Sequence, residues 1–166
     1  MKDSNLVQWT DRYRTGIPLI DDQHKKLIDV TNKLYVKCLA GNEAARTSFL
    51  QTIHKVVDYV RFHFTSEEKI MERISYPGLA VHKREHQEFV KEILQQIQSF
   101  QEGEKFVPNA FVRYLGDWVL THIAVSDKGY ALYLAEMKKR GVLPELLMKA
   151  SSAPIPPKSP LLGGTR

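Results

Sequence analysis

The sequence predicts an all-α protein: an antiparallel up-down-up-down four-helix bundle with an extended N-terminal arm, a short C-terminal helix and a disordered tail. Three observations predict it. Four segments place apolar residues three and four apart, helix-breaking residues separate each from the next, and no run alternates apolar and polar as a half-buried strand does. Short connections between long amphipathic helices favour antiparallel neighbours.

Residues 1–17 lack helical periodicity and end in Thr15, Gly16, Ile17 and Pro18, so they read as an arm leading into a helix. The first helix is expected over about 19–39, stopping at Gly41 and Asn42, where a glycine can take the left-handed conformation that ends helices. The second starts near Glu43 and continues to about Ile74, where Tyr76, Pro77 and Gly78 force a turn. The third covers about 79–101 and ends at Glu102, Gly103 and Glu104; the fourth opens at Pro108 and Asn109 and extends toward Met137, with Gly129 as a weak point and Gly141 as a stop. A short helical piece over 144–149 completes one domain, residues 1–150. Residues 151–166 hold four of the eight prolines and two adjacent glycines. Such a segment buries too little apolar surface to offset its ordering entropy, so it is expected to be a flexible tail, with Leu161 and Leu162 as an anchor should a protein partner dock there.

Composition narrows the function classes. A 166-residue chain with 43% hydrophobic and 26% charged residues is globular and needs no disulfide framework to fold. The net charge of +5 is dispersed apart from Lys138, Lys139 and Arg140, which reads as solvated helix faces and speaks against nucleic acid as a partner. Cys38 is the sole cysteine, and no apolar run reaches the length of a membrane span or a secretory signal, so the expected location is the cytoplasm, with no membrane partner.

The chemistry lies in the core stripes. The first helix reads Ile20, His24, Leu27, Thr31, Leu34, Cys38; the second reads Phe49, Ile53, Val56, Val60, His63, Glu67, Ile70, Ile74. The third reads Leu79, His82, His86, Phe89, Ile93, Ile97, Phe100, and the fourth Phe111, Leu115, Trp118, His122, Val125. Every helix delivers at least one histidine inward. One buried histidine is ordinarily a hydrogen-bonded core residue, but five of them on facing helices, with Glu67 among them and no lysine or arginine on the stripes, leave a carboxylate whose burial costs several kcal/mol if unpaired. A metal resolves that cost. The pairs His63 with Glu67 and His82 with His86 stand four apart and converge beside their helices. A nitrogen and oxygen donor set without thiolate fits iron better than a structural zinc site. His54 falls off the stripes and should face solvent; Glu68, about 100° from Glu67, reads as surface; Cys38 reads as a small core residue, and Trp9 and Trp118 as packing.

Several runs resemble the hemerythrin family in order and spacing: Trp9 followed by Gly16 to His24, His63-Phe64-Thr65-Ser66-Glu67-Glu68, Tyr76-Pro77 leading to His82, His86 and Phe89, and Trp118 through His122 to Asp127. The resemblance covers about residues 5–135 and implies a bacterial hemerythrin. It implies two non-haem iron ions, one held by His82, His86 and His122, the other by His24 and His63, bridged by Glu67, Asp127 and an oxide or hydroxide. Seven protein ligands exceed the needs of one four- to six-coordinate ion and suit two that share carboxylates. Reversible dioxygen binding for storage, transport, delivery or sensing is the implied function, by a non-enzyme that is a monomer; the alternative is a di-iron redox enzyme acting on peroxide or nitric oxide. Trp9 and Trp118 are implied to lie near the irons and exclude water. One ligand conflicts with regular geometry. Asp127 lies five residues after His122, which at about 100° per residue puts it about 140° around the helix, so a π-type widening or a break near Ser126 is expected to turn it inward.

Overall fold

The computed structural model describes residues 6–39, 43–102 and 108–142. They form α1 (Pro18–Leu39), α2 (Glu43–Arg73), α3 (Leu79–Gln101), α4 (Pro108–His122), a π-helical segment (Ile123–Asp127) and α5 (Lys128–Lys139), the last three being one continuous fourth arm. α1 packs against α2 and α4, and α2 against α3, the neighbour pattern of the antiparallel bundle. Helix ends fall within a residue or two of the expected positions. No strand occurs among the described residues, and no described helix is long and apolar enough to cross a membrane. The expected helix over 144–149, the boundary at 150 and the tail over 151–166 lie outside the described residues.

The N-terminal arm is more structured than expected. It contains a 3₁₀ turn at Asp11–Tyr13 and is tied to α1 at two points. Asn32 acts as a side-chain clamp on the backbone of Val7, accepting from its N–H at 2.9 Å and donating to its carbonyl at 2.8 Å. Asp21, in the first turn of α1, accepts from the Thr15 N–H and hydroxyl, both at 2.7 Å, and from the Gly16 N–H at 3.2 Å. A carboxylate there also suits the positive end of the helix dipole, and Gly16, at φ +80, supplies the bend that brings its amide round. Pro18 then opens α1 with its φ already helical.

Between α2 and α3 the chain reverses at Ser75, a non-glycine residue at φ 52, with the Tyr76 N–H bonded back to the Met71 carbonyl at 2.9 Å. The turn throws the Tyr76 ring over the fourth arm. That explains Gly129, expected as a weak point but sitting in an unbroken helix: a Cβ there would lie 2.7 Å from the Tyr76 hydroxyl.

The stripes face inward as expected, Cys38, Leu79 and Trp118 being half-buried and the rest buried, with one exception. Val125, expected on the inward face of the fourth helix, is 66% exposed, because the π segment inserts one extra residue per turn and rotates that position outward. The apolar core divides in two. A large cluster built around Leu27, Ile53, Val60, Phe89, Ile93 and Leu115 fills one end; a smaller one of Ile20, Ile70, Met71 and Tyr130 closes the other. Between them along every helix comes a layer of buried polar side chains, so that layer is capped by hydrocarbon on both sides.

Candidate metal centre

The layer holds His24 from α1, His63 and Glu67 from α2, His82 and His86 from α3, His122 from α4 and Asp127 from the π segment, none more than 6% exposed. Asp127 is fully buried, although a regular helix would have aimed it away. One inserted residue takes up about 100° of rotation, which leaves Asp127 roughly one turn beyond His122 on the same face. The local widening expected from the sequence is therefore present, and it spans Ile123–Asp127.

The ligand-type atoms fall into two groups, each within 4.8 Å: Glu67, His82, His86 and His122, and His24, His63, Glu67 and Asp127. Glu67 is common to both. Its Oε2 lies 3.3 Å from His86 Nε2, 3.6 Å from His63 Nε2 and 3.7 Å from His82 Nε2, and its Oε1 lies 3.6 Å from His24 Nε2. Asp127 also spans the groups. Its Oδ1 is 3.2 Å from His122 Nε2 and 3.4 Å from His82 Nε2, while its Oδ2 is 3.1 Å from His24 Nε2. His54 is exposed, as expected, and has no part in the layer.

The outer edges of the rings decide whether a cation fits. His63 Nδ1 lies 2.9 Å from Gln23 Oε1, whose amide nitrogen is committed to Ser66 Oγ at 3.3 Å. An amide oxygen only accepts, so Nδ1 carries the proton and Nε2 faces inward as a bare lone pair. The same logic holds for His86, whose Nδ1 donates to Glu68 Oε1 at 3.0 Å. His122 differs: its Nδ1 lies 3.3 Å from Glu85 Oε2 but at an angle outside hydrogen-bond geometry, so that carboxylate faces the ring without fixing its tautomer. Inside, the Nε2 atoms of His86 and His122 approach to 3.0 Å, and those of His122 and His82 to 3.1 Å. Both nitrogens of His24, Glu67 Oε2 and both oxygens of Asp127 have no hydrogen-bond partner. Lone pairs converging on lone pairs in a dry interior repel, and cations between them turn each repulsion into a bond. The residues fit a metal pair.

The protonation preferences of the ion-free chain express the same demand for positive charge. Burial pulls His24 and His82 down, but the close-lying carboxylates of Asp127 and Glu67 outweigh it and carry each up to about 9. His63, which burial dominates, falls to about 4. Burial pushes Glu67 and Asp127 upward, yet the surrounding histidines hold both below the ordinary carboxylate range.

Rings and hydroxyls wall the layer. Phe64 stacks on His86 at 3.6 Å and 3°, and Trp118 stacks on His122 at 4.4 Å and 12° and on Phe89 at 3.6 Å and 10°. Trp118 therefore borders the site, while Trp9 packs instead beside Tyr13 under the Lys25 ammonium. Tyr130, fully buried, donates its hydroxyl to Glu67 Oε1 at 2.9 Å. Cys38 is half-buried against the large apolar cluster, where burial pushes its thiol up to about 11.

Four residues of the layer's outer support escaped the sequence reading. Glu68, expected to be plain surface, is only a quarter exposed and holds His86, with Lys83 Nζ 3.8 Å away. Gln23, Glu85 and Tyr130 were not singled out. Each supports a side chain of another helix, so neighbours along the chain carry no signal of it; only the position of Glu68 and Glu85 beside the stripes, rather than opposite them, hints at a role.

Comparison with known proteins agrees with this geometry. Residues 15–134 match the family model described as the hemerythrin HHE cation binding domain. A bacteriohemerythrin of Stenotrophomonas maltophilia is 36% identical over 126 residues, covering 76% of this chain and 80% of its own, and one of Methylococcus capsulatus is 35% identical over 126 residues, covering 75% and 94%. Among solved structures, a wild-type hemerythrin superposes with a TM-score of 0.70 at 35% identity, covering 76% of this chain and 95% of its own.

Proposed function

This chain belongs to the hemerythrin HHE cation-binding family, and from that premise we propose that it binds dioxygen reversibly at a non-haem pair of iron ions. His82, His86 and His122 would hold one ion, His24 and His63 the other, and Glu67 and Asp127 would be shared together with an oxide or hydroxide. When bound, the irons would supply the electrons for reversible reduction of dioxygen, and the half held by only two histidines, His24 and His63, would be where it is taken up. The observation that carries the reading is the pair of donor groups joined through Glu67 in a layer sealed by apolar side chains on both sides.

The chain's own contribution is to orient the donors and keep the layer dry. The Tyr130 hydroxyl fixes Glu67 Oε1, Gln23 fixes the His63 ring and its tautomer, and Trp118 and Phe64 cover the outer faces of His122 and His86. Water exclusion favours reversibility, because water and protons promote irreversible oxidation. Ligand balance points the same way. Five imidazoles to two carboxylates is a neutral-rich set, unlike the glutamate-rich sets of the carboxylate di-iron bundles, and it stabilises the reduced metal. Residues 1–150 form the working unit in this reading, acting in the cytoplasm as a monomer, and any protein partner of residues 151–166 is separate from the oxygen site.

Anaerobic reduction of the iron-loaded protein, then cycles of oxygen and vacuum followed by visible absorption, tests it. A charge-transfer band that appears with oxygen and vanishes under vacuum through repeated cycles is expected. Immediate permanent oxidation, or turnover of peroxide or nitric oxide, would replace the carrier reading with a redox enzyme.

A further inference from the structure

The supports behind the histidines are not alike in the two halves of the centre. In the three-histidine half, His86 Nδ1 is held by the Glu68 carboxylate at 3.0 Å and His122 Nδ1 faces the Glu85 carboxylate at 3.3 Å. In the two-histidine half, His63 Nδ1 is held by a neutral amide, Gln23 Oε1 at 2.9 Å, and His24 Nδ1 is buried with no hydrogen-bond partner. Carboxylates therefore serve one half, and an amide and an unfilled position serve the other. Both carboxylates are partly solvated, Glu68 at 26% and Glu85 at 38% side-chain exposure. Glu68 also lines a groove of about 680 Å³ along the α2–α3 face, beside Phe64, His86 and Val90, so it keeps water on one side while reaching the ring on the other. Its charge escapes the full cost of burial that Glu67 and Asp127 incur.

Glu85, outside hydrogen-bond geometry, acts on His122 by its charge alone, whereas Glu68, accepting the outer N–H of His86, does two things that an amide does not do together. It locks ring and tautomer, and it draws the Nδ1 proton toward itself so that electron density rises at Nε2, strengthening that nitrogen as a donor. It also adds a negative charge just outside the coordination layer, which attracts a cation. His24, with nothing at Nδ1, has its ring direction set by packing and by the inner approach of its Nε2 to Asp127 and Glu67.

Resting on the metal reading above, we propose that Glu68 and Glu85 are positioning residues that make the three-histidine half the tighter of two cation positions, so that the centre fills there first and at His24 and His63 last. The asymmetry lies in this chain's own side chains, and its consequence is an ordered assembly: the half where dioxygen would be taken up is also the half that loads last and empties first.

The test is anaerobic titration of the metal-free chain with cobalt(II), which needs no oxygen chemistry, followed by calorimetry and by its visible bands. Two resolved steps of one ion each are expected. Glu68→Gln, which keeps an acceptor but removes the charge, should weaken the first step about tenfold and leave the second unchanged, at the lower end of the range for outer-support substitutions at metal sites. Glu85→Gln should act on the same step. Gln23→Glu should tighten the second step alone and narrow the gap. A merely structural role would move both steps together, and circular dichroism of each metal-free variant reports whether it has folded. The proposal is overturned if Glu68→Gln and Glu85→Gln leave the first step unchanged, weaken both steps equally or weaken only the second. No cobalt binding by the unaltered chain would instead remove the metal reading itself, and this inference with it.

Discussion

Replacing Tyr130 by Phe removes one oxygen and little else. The ring is fully buried between Ile70, Met71 and Tyr76, and it keeps its packing in the variant. What disappears is the donor to Glu67 Oε1 at 2.9 Å. A hydrogen bond to a charged group contributes about 1.5–3 kcal/mol. In the ion-free chain Glu67 is fully buried, and its other oxygen already lacks a hydrogen-bond partner, so the whole of that loss should be felt. At about 2–4 °C per kcal/mol for a chain of this size, melting should drop by about 3–12 °C. In the iron-loaded chain a cation meets the same carboxylate and supplies what the hydroxyl no longer does, so the drop should be less than half as large. Melting curves of both forms, parent and variant, measure the two differences in parallel. Equal losses with and without metal would refute the reasoning, since they would mean that Glu67 is no better compensated with a metal than without.

Three further outcomes are expected. Asp127→Asn should reduce loading below two ions per chain and abolish the oxygen-dependent band while circular dichroism stays helical, because both Asp127 oxygens face histidine nitrogens of the two halves and the backbone widening is untouched; retention of two ions with normal colour would remove it from the set. His63→Leu should lose the second ion yet leave the ion-free chain within about 1 kcal/mol of the parent, since about 2 kcal/mol of apolar burial offsets the lost bond to Gln23; a large destabilisation of the ion-free form would show that His63 is held for folding rather than for metal. In the ion-free chain His24 and His82 are raised to about 9 from an ordinary value of 6.5, so the stability they contribute is fully present below pH 6.5 and is lost as pH rises through 9. Loaded protein, its imidazoles already bound in the neutral form, should show no such loss, so the melting gap between loaded and ion-free forms should widen from pH 6.5 to 9; a constant or shrinking gap would contradict the assignment.

What could be read from the sequence, and what could not, divides along the range of the interactions involved. The stripes on α1, α2 and α3 follow from residue spacing alone, and so do the inward positions of His24, His63, Glu67, His82, His86 and His122, because helical periodicity is local. Asp127 was legible only as a conflict between the resemblance and the geometry of a regular helix, and that conflict located the π segment. Its second consequence, the outward turn of Val125, follows from the same inserted residue but was hidden, since Val125 continues the stripe in every local respect. The supports Gln23, Glu68, Glu85 and Tyr130 reach across helix pairs and depend on how neighbouring helices sit, which periodicity does not encode. Gln23 shows this best: it adjoins His24 in the chain and serves His63 on the next helix. Likewise Gly129 read as a helix-weakening residue because its reason, the Tyr76 hydroxyl, comes from a turn fifty-odd residues earlier.

Converging imidazoles and carboxylates in a dry interior require cations between them. Elemental analysis of protein loaded anaerobically with ferrous iron and freed of excess by gel filtration addresses that most directly. Two irons per chain in the parent, falling below two when His63 or Glu67 is replaced by Ala, is the predicted result; a parent that emerges with no stoichiometric iron, or variants that keep both ions, would contradict it.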